Sequence, residues 1–298
     1  MMNREMATLQ QTRWLIVTAI VVAARSAQAG MTLLSGPSPC THVGNLVTNG
    51  SFETGAPAPG SANYLYWATG TSNLPYAVPP GWSASGSPNN YAKWGADSPS
   101  LLQLLGSDVL PDGQAGLYFG NYAGALTSLA PTFQTNGRVT FSGTPTMTAP
   151  NGAPVQLWQT VPTNTTPAPN YCFSFWASGE WAGQTPGWAP DGIFGLRVTN
   201  VLPGDPMQYF AVPGGAGLLG MSHRFDFDLV PLNPLQPITI EFWNWGHFDL
   251  SMHGGMAFTS ELVLDDVMIN AMPEPASMAL LALAAAAPLT RRRIARSD

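Results

Sequence analysis

Four segments of this chain alternate apolar and polar residues with a period of two. In each segment an apolar side chain, most often an aromatic one, occupies every second position, and the positions between are mixed in character. The segments are residues 171–178, 194–199, 225–229 and 238–243. Because successive side chains of a β-strand point to opposite faces, the pattern predicts strands with one buried face and one outward face.

Turn-forming residues separate these segments. The 298 residues include 31 Gly and 28 Pro, and no convincing amphipathic helix follows residue 30. Antiparallel strands with one apolar face bury it by stacking as two sheets. We therefore expect an all-β fold, an antiparallel β-sandwich, flanked by an N-terminal signal helix and a C-terminal hydrophobic helix.

The N-terminal segment has the order of a secretory signal. Arg4 and Arg13 precede the eleven-residue apolar run Trp14–Ala24, and Ala27-Gln28-Ala29 follows as a small-residue cleavage site. A permanent membrane-spanning helix needs about 20 apolar residues, which this run does not reach. The sequence predicts that residues 1–29 are a signal peptide removed after Ala29.

The C-terminal segment carries a second hydrophobic run. Pro273-Glu274-Pro275 precedes the apolar residues 276–289, and the basic cluster Arg291-Arg292-Arg293 follows. The Ala/Leu-rich run favours a helix, and the arginines would hold its end on the cytoplasmic side. An ordinary tail anchor is the alternative interpretation.

These three parts, in this order, resemble the PEP-CTERM sorting signal of Gram-negative bacteria. The resemblance covers residues 272–298, with a short run that Pro288 interrupts as its departure from the pattern. It implies processing by an exosortase after transient insertion of residues 276–289 in the inner membrane. The mature protein would then reach the cell surface or the extracellular matrix.

The charge of the central part excludes some partners. Seven of the 11 basic residues lie in the two terminal segments, whereas residues 53–266 hold 14 of the 17 acidic residues. A domain this acidic lacks the positive surface that nucleic acid or anionic lipid requires. It suits neutral ligands and divalent cations.

Two cysteines, Cys40 and Cys172, are present in the whole chain. An even number in an exported protein permits one disulfide, which we favour. Two unpaired thiols, one of them buried, are the alternative.

Five short motifs resemble parts of galactose-binding-like jelly-roll domains, which include many carbohydrate-binding modules. The opening strand reads N-L-V-T-N-G-S-F-E-T-G, a G-W pair follows it, and the closing strand contains L-D-D-V. The five motifs are residues 45–55, 81–82, 155–161, 171–177 and 261–269. The resemblance spans residues 45–271, so the folded domain is expected there and residues 30–44 are expected to form a leader arm.

The same resemblance implies a structural calcium ion held by Glu53 with Asp265 or Asp266. Ca²⁺ takes several hard oxygen ligands, which carboxylates and backbone carbonyls supply. In a jelly roll the first and last strands come together, which would bring these acids close. The alternative is that the acids cap turns and accept backbone hydrogen bonds.

Three tryptophans are candidates for a sugar-binding surface. Trp176, Trp243 and Trp245 fall on the mixed faces of their strands, and Glu241 and Arg197 accompany them. Sugars have apolar C–H faces with hydroxyls at their edges, so aromatic rings beside a few polar groups bind both parts. The alternative is that a loop packs over each ring; a Gly/Pro-rich loop at residues 179–192, with Trp181 and Trp188, could line the same groove.

Other catalytic or metal chemistry finds less support. His247, Asp249 and His253 could bind a transition metal, but their spacing matches no known ligand pattern and a solvated loop is favoured. No G-x-S-x-G motif is present. The sequence thus predicts a non-enzymatic polysaccharide-binding module. A structural matrix protein without a specific ligand and a glycan-active hydrolase with paired carboxylates are the alternatives.

Overall fold

The described residues form a β-sandwich of two antiparallel sheets. A computed structural model describes residues 29–56, 65–68, 78–85, 91–96, 113, 115–121, 125–126, 131–145, 147–148, 156–165, 167–179, 193–211, 223–246 and 260–272. Within these ranges there is no α-helix, and a single 3-10 turn spans Thr163–Thr165. The all-β prediction is therefore confirmed.

Each sheet has seven strands, and strand numbers follow the chain. The first sheet has the order β1 (Gly30–Leu33), β14 (His223–Val230), β11 (Asn170–Gly179), β16 (Ser260–Met272), β5 (Ala115–Asn121), β4 (Tyr91–Ala96) and β2 (Leu65–Ala68). The second has the order β3 (Ser83–Ser85), β10 (Gln156–Val161), β15 (Ile238–Gly246), β12 (Ile193–Val198), β13 (Gln208–Ala211), β8 (Arg138–Phe141) and β7 (Pro131–Phe133). A small separate pair joins β6 (Ala125–Leu126) and β9 (Met147–Thr148).

Phenylalanines from both sheets fill the space between them. Phe175 of β11 meets Phe242 of β15 edge-on, with ring centroids 5.0 Å apart, and Phe227 of β14 meets Phe210 of β13 at 5.5 Å. All four side chains are almost fully buried. The period-two pattern in β11, β12, β14 and β15 therefore marks the core face of each strand, as predicted.

The residues before Asn45 belong to the sandwich, so the predicted boundary at Asn45 is too late. Gly30–Leu33 forms the edge strand β1, in which Met31 lies opposite Leu229 of β14. Met31 and Leu33 also pack against the core. A four-residue strand followed by Gly and Pro is too short for a periodic pattern to reveal it.

A disulfide joins the segment after β1 to the outer face of the first sheet. Cys40 is bonded to Cys172 of β11, with a Cα–Cα distance of 5.6 Å across 132 residues of sequence. Met268 of β16 packs against the pair. Polar contacts hold the same segment: Thr41 N donates to Asn270 Oδ1 at 3.1 Å.

No helix within the described ranges has the length and apolar character that a membrane span requires. The predicted signal peptide up to residue 28, the sorting motif Pro273-Glu274-Pro275, the run 276–289 and the basic cluster Arg291–Arg293 lie outside the described residues.

Candidate functional site

Partly exposed aromatic rings collect on the outer face of the second sheet. Four outward side chains form what we call the aromatic face: Trp158 of β10, Trp243 of β15, Tyr209 of β13 and Phe141 of β8. The strand register shows how three of them are placed. Trp158 lies opposite Glu241, and Trp243 and Tyr209 both lie opposite Gly195. An apolar outward face of this kind is unusual on a sheet and indicates a binding surface or a covering element.

The alternation within each strand fixes these positions. Ile240 and Phe242 point into the core of the sandwich, so Glu241 and Trp243 of the same strand must point outward. In β12, Leu196 is in the core and Arg197 is outward. The buried residues of β15 and β12 thus hold the outward ones on a rigid support.

Gly195 creates room for the Trp243 ring. Trp243 stands in β15, yet it packs against the small buried cluster of Ala211 (β13) and Val139 (β8), both of which lie beyond β12 in the sheet. To reach them the indole must pass over β12, where its directly opposite residue is Gly195 and offers no side chain. We conclude that the ring lies over the sheet surface, an orientation in which a ring face can stack on a ligand.

An ion pair borders the Trp243 ring. Arg197 donates to Glu241 Oε2 from Nε at 3.0 Å and from Nη2 at 2.6 Å, and the indole Nε1 of Trp243 donates to the same oxygen at 3.1 Å. The Arg197 guanidinium carbon is 5.6 Å from the Trp243 ring centroid, within the range of a cation–π contact. Within the described part of the chain, no group donates a hydrogen bond to the other oxygen, Glu241 Oε1.

The far side of the aromatic face ends in a pair of rings. Phe141 meets Tyr209 edge-on, with ring centroids 5.1 Å apart. Burial raises the pKa of the Tyr209 hydroxyl above its ordinary value of 10.0, so the hydroxyl stays protonated at neutral pH. It can therefore donate a hydrogen bond as well as accept one.

This arrangement suits a flat, neutral and hydroxylated ligand. The rings offer apolar stacking area, and Glu241, Arg197 and Tyr209 offer hydrogen-bonding groups at its edges. Arg197 has 38% of its side chain exposed and Glu241 has 15%, so both can be reached from solvent.

The predicted sugar-binding set is only partly brought together. Trp243, Glu241 and Arg197 share the aromatic face, but Trp176 lies on the first sheet, in β11, near Arg224 at 5.8 Å from the ring centroid. Both Trp176 and Trp243 do point away from the core, as the alternation predicts, but from opposite sheets. The prediction that Trp176 and Trp243 share one surface is therefore wrong, because a period-two pattern does not show which sheet a strand joins.

Three other predicted aromatic residues stay untested. The backbone of Trp245 belongs to β15, at a register irregularity with β12, and its side chain is outside the description. Trp181 and Trp188 lie outside the described residues.

The predicted calcium ligands each have protein partners. Glu53 Oε1 accepts the backbone N–H of Ala115 at 2.7 Å, and Asp265 Oδ1 accepts the N–H of Asp266 at 2.7 Å. Asp266 lies 3.5 Å from His42 and 4.0 Å from Arg224. These contacts fit the turn-capping alternative, and the calcium site stays a prediction.

No group of three or more His, Cys, Asp or Glu side chains that could hold a metal ion occurs among the described residues. Two carboxylates completed by backbone carbonyls would not form such a group. The His247, Asp249 and His253 loop lies outside the description.

Three residues of the aromatic face were missed in the sequence: Trp158, Tyr209 and Phe141. A signal for Trp158 was present, since Leu157 and Val161 are core residues and place Trp158 on the opposite side of β10. Tyr209 and Phe141 stand in strands of four residues, which are too short for a convincing alternation.

No protein-family model and no curated protein matches the chain. Among solved structures, the Stig cyclase Fisc from Fischerella sp. TAU is 14% identical at a TM-score of 0.40, covering 82% of this chain and 99% of the cyclase. The CBM22-2 xylan-binding domain from Paenibacillus barcinonensis Xyn10C is 10% identical at 0.30, covering 65% and 92%. The match to bacteriophage CBA120 tailspike protein 4 is 13% identical at 0.35 and covers 77% of this chain but only 22% of the tailspike chain. These likenesses are too remote to carry an argument about function.

Proposed function

We propose that this chain is an exported, non-catalytic polysaccharide-binding module and that the aromatic face is its binding surface. The observation that carries the proposal is the Trp243 ring lying over Gly195, with Trp158 and Tyr209 on either side. Such rings present flat apolar area that can stack on the C–H faces of sugars.

Polar groups beside the rings would form hydrogen bonds with the hydroxyls of the sugar. Glu241 is held in one orientation by Arg197 and Trp243, which both bond Oε2, so Oε1 would accept a hydrogen bond from a sugar hydroxyl. A preorganised acceptor binds with less loss of side-chain entropy than a mobile one. Among the described outward residues of this face, Glu241 and Arg197 balance each other in charge, which favours a neutral glycan.

The second part of the proposal concerns the cellular location of the protein. The signal peptide, the PEP-CTERM-like tail and an exosortase would deliver the domain to the cell surface or matrix, with residues 276–289 in the inner membrane during processing. The Cys40–Cys172 disulfide supports an extracytoplasmic location, since such bonds persist in oxidising compartments.

A structural calcium ion is the third part. Glu53, Asp265 and Asp266 would supply carboxylate ligands near the start of β5 and the irregular part of β16. The ion would stabilise the sandwich and would take no part in sugar binding.

The direct test is a glycan array probed with the purified full chain, once with added Ca²⁺ and once with chelator. We expect binding to neutral polysaccharides. Saturable binding to none of the glycans would favour the structural matrix protein, and release of shorter products from a bound glycan would favour the hydrolase.

A further inference from the structure

A depression, which we call the end pocket, opens at one end of the aromatic face. It has a volume of about 550 Å³ and lies between the loop after β12 and the loop before β15. Its wall includes Leu202, Leu232, Gln236, Asp205 and the outward threonines Thr199 and Thr239. Small-molecule sites are typically of this size, with apolar walls and a few polar groups.

Asn200 makes this end pocket rigid. Its side-chain amide donates to the carbonyls of Asn233 at 2.8 Å and Gln236 at 3.1 Å, and its Oδ1 accepts the Asn233 N–H at 2.9 Å. Its backbone carbonyl also accepts the Leu232 N–H at 2.7 Å. Asn200 therefore ties the two loops together, and a pocket formed in advance costs little ordering when a ligand enters.

The end pocket is continuous with the aromatic face through a row of threonines. Thr160, Thr239 and Thr199 lie side by side on β10, β15 and the end of β12, joined by a 2.9 Å contact between the hydroxyls of Thr160 and Thr239. Trp243, Glu241 and Thr239 are successive outward residues of β15. At about 3.4 Å per residue, the step from Trp243 to Thr239 is about 14 Å, longer than one sugar ring.

The chemistry of the pocket wall matches that of the aromatic face. Asp205 is the one charged residue among the described residues of the wall, and its Oδ1 already accepts the Asn200 N–H at 2.9 Å. Leu232, at 48% exposure, offers an apolar surface, and no described residue hydrogen-bonds the side-chain amide of Gln236. A neutral sugar ring can pack on the apolar surface of Leu232 and can hydrogen-bond the amide of Gln236, whereas Asp205 would repel an anion.

We infer that the end pocket holds the terminal sugar of a neutral polysaccharide whose preceding rings lie along β15 on the aromatic face. β15 begins at Ile238, so Thr239 is the last outward residue of that row, and the end pocket lies directly beyond it between the two joined loops. This inference rests on the proposed function and adds that the module recognises chain ends.

The test is calorimetric titration of the full chain with xylo- and cello-oligosaccharides of increasing length and with soluble xylan. We expect one protein bound per glycan chain at every length. Leu232→Ala and Gln236→Ala should each weaken binding of the long chains by about tenfold. The shortest chains should be unaffected, because a chain bound at Trp243 must be longer than one sugar ring to reach the end pocket. Leu235→Ala is the matched control, because Leu235 lies in the same loop, is 72% exposed and does not line the pocket.

The outcomes separate the two proposals. If several proteins bind one long chain, or if Leu232→Ala behaves like Leu235→Ala, the chain-end inference is wrong while the aromatic face stands, provided that Trp243→Ala still weakens binding by about tenfold or more. If none of these glycans binds, or if Trp243→Ala has no effect, the polysaccharide proposal fails and the chain-end inference fails with it. Equal melting temperatures of the variants establish that each one is folded.

Discussion

Loss of the disulfide should destabilise this protein strongly. The bond between Cys40 and Cys172 closes a loop of 132 residues. In the chain-entropy model, closing such a loop raises the free energy of the unfolded chain by about 5 kcal/mol near room temperature. Removal of native disulfides typically lowers the free energy of unfolding by about 2–5 kcal/mol. A whole domain is stable by only about 5–15 kcal/mol, so the double variant Cys40→Ser/Cys172→Ser should lose a large part of its stability.

The loss should have a local component as well. Without the bond, residues 34–44 would be held by polar contacts such as Arg224 Nη2 to Ser38 Oγ at 2.9 Å and by the Thr41–Asn270 hydrogen bond. Individual contacts of this kind contribute about 1 kcal/mol, which is too little to keep the segment closed at all times. Its amide hydrogens should therefore exchange faster than those of β11.

Denaturant unfolding of the double variant and of the oxidised and reduced wild-type protein measures the first effect, and hydrogen exchange measures the second. The reduced wild-type protein is the control, because it removes the bond without changing a residue. A double variant within about 1 kcal/mol of the oxidised protein, with unchanged exchange in residues 34–44, would refute the reasoning.

Three further predictions concern the tail, calcium and pH. Replacing Pro273-Glu274-Pro275 with alanines should block processing in an exosortase-bearing host and leave the protein in the inner membrane, as seen by size and fractionation. Added Ca²⁺ should raise the melting temperature of the wild-type chain but not that of Glu53→Gln, since an ion at 100-fold excess over Kd contributes about 2.7 kcal/mol. Burial lowers the pKa of His223 below 6.5, although Asp226 opposes the shift, so the folded state takes up this proton less readily than the unfolded chain. Stability should therefore fall as the pH drops below 6.5, and less so in His223→Gln, as measured by unfolding at several pH values.

Each of these has a result that would contradict it. An alanine variant of normal size and location would refute the sorting interpretation. A wild-type chain indifferent to chelator would rule out a stabilising calcium ion. Equal loss of stability in His223→Gln and in the wild-type protein between neutral and mildly acidic pH would show that the burial of His223 is not a source of acid sensitivity.

The long strands of this fold were predictable from the sequence because their core positions are aromatic and strictly spaced. Phe173, Phe175, Phe225 and Phe227 are core residues in the structure at the positions that the alternation marks. The edge strand β1 was not predictable, because its pairing with β14 is set by backbone hydrogen bonds that four residues of any moderate β-propensity can make.

The candidate site was predictable only in part, for a different reason. Local alternation places Trp176 and Trp243 on outward faces, but assignment of a strand to a sheet depends on long-range pairing. Gly195 illustrates the same limit, since its role follows from lying between Trp243 and Tyr209, which are distant in sequence.

The central claim is tested most directly by one matched pair of variants. Trp243→Ala and Trp176→Ala each remove a partly exposed indole with an arginine beside it, but from opposite faces of the sandwich. The prediction is that, in a calorimetric titration with the polysaccharide that binds best on the array, Trp243→Ala weakens binding by about tenfold or more, while Trp176→Ala binds as the wild-type protein does. Unchanged binding by a folded Trp243→Ala variant, or a loss confined to Trp176→Ala, would contradict it.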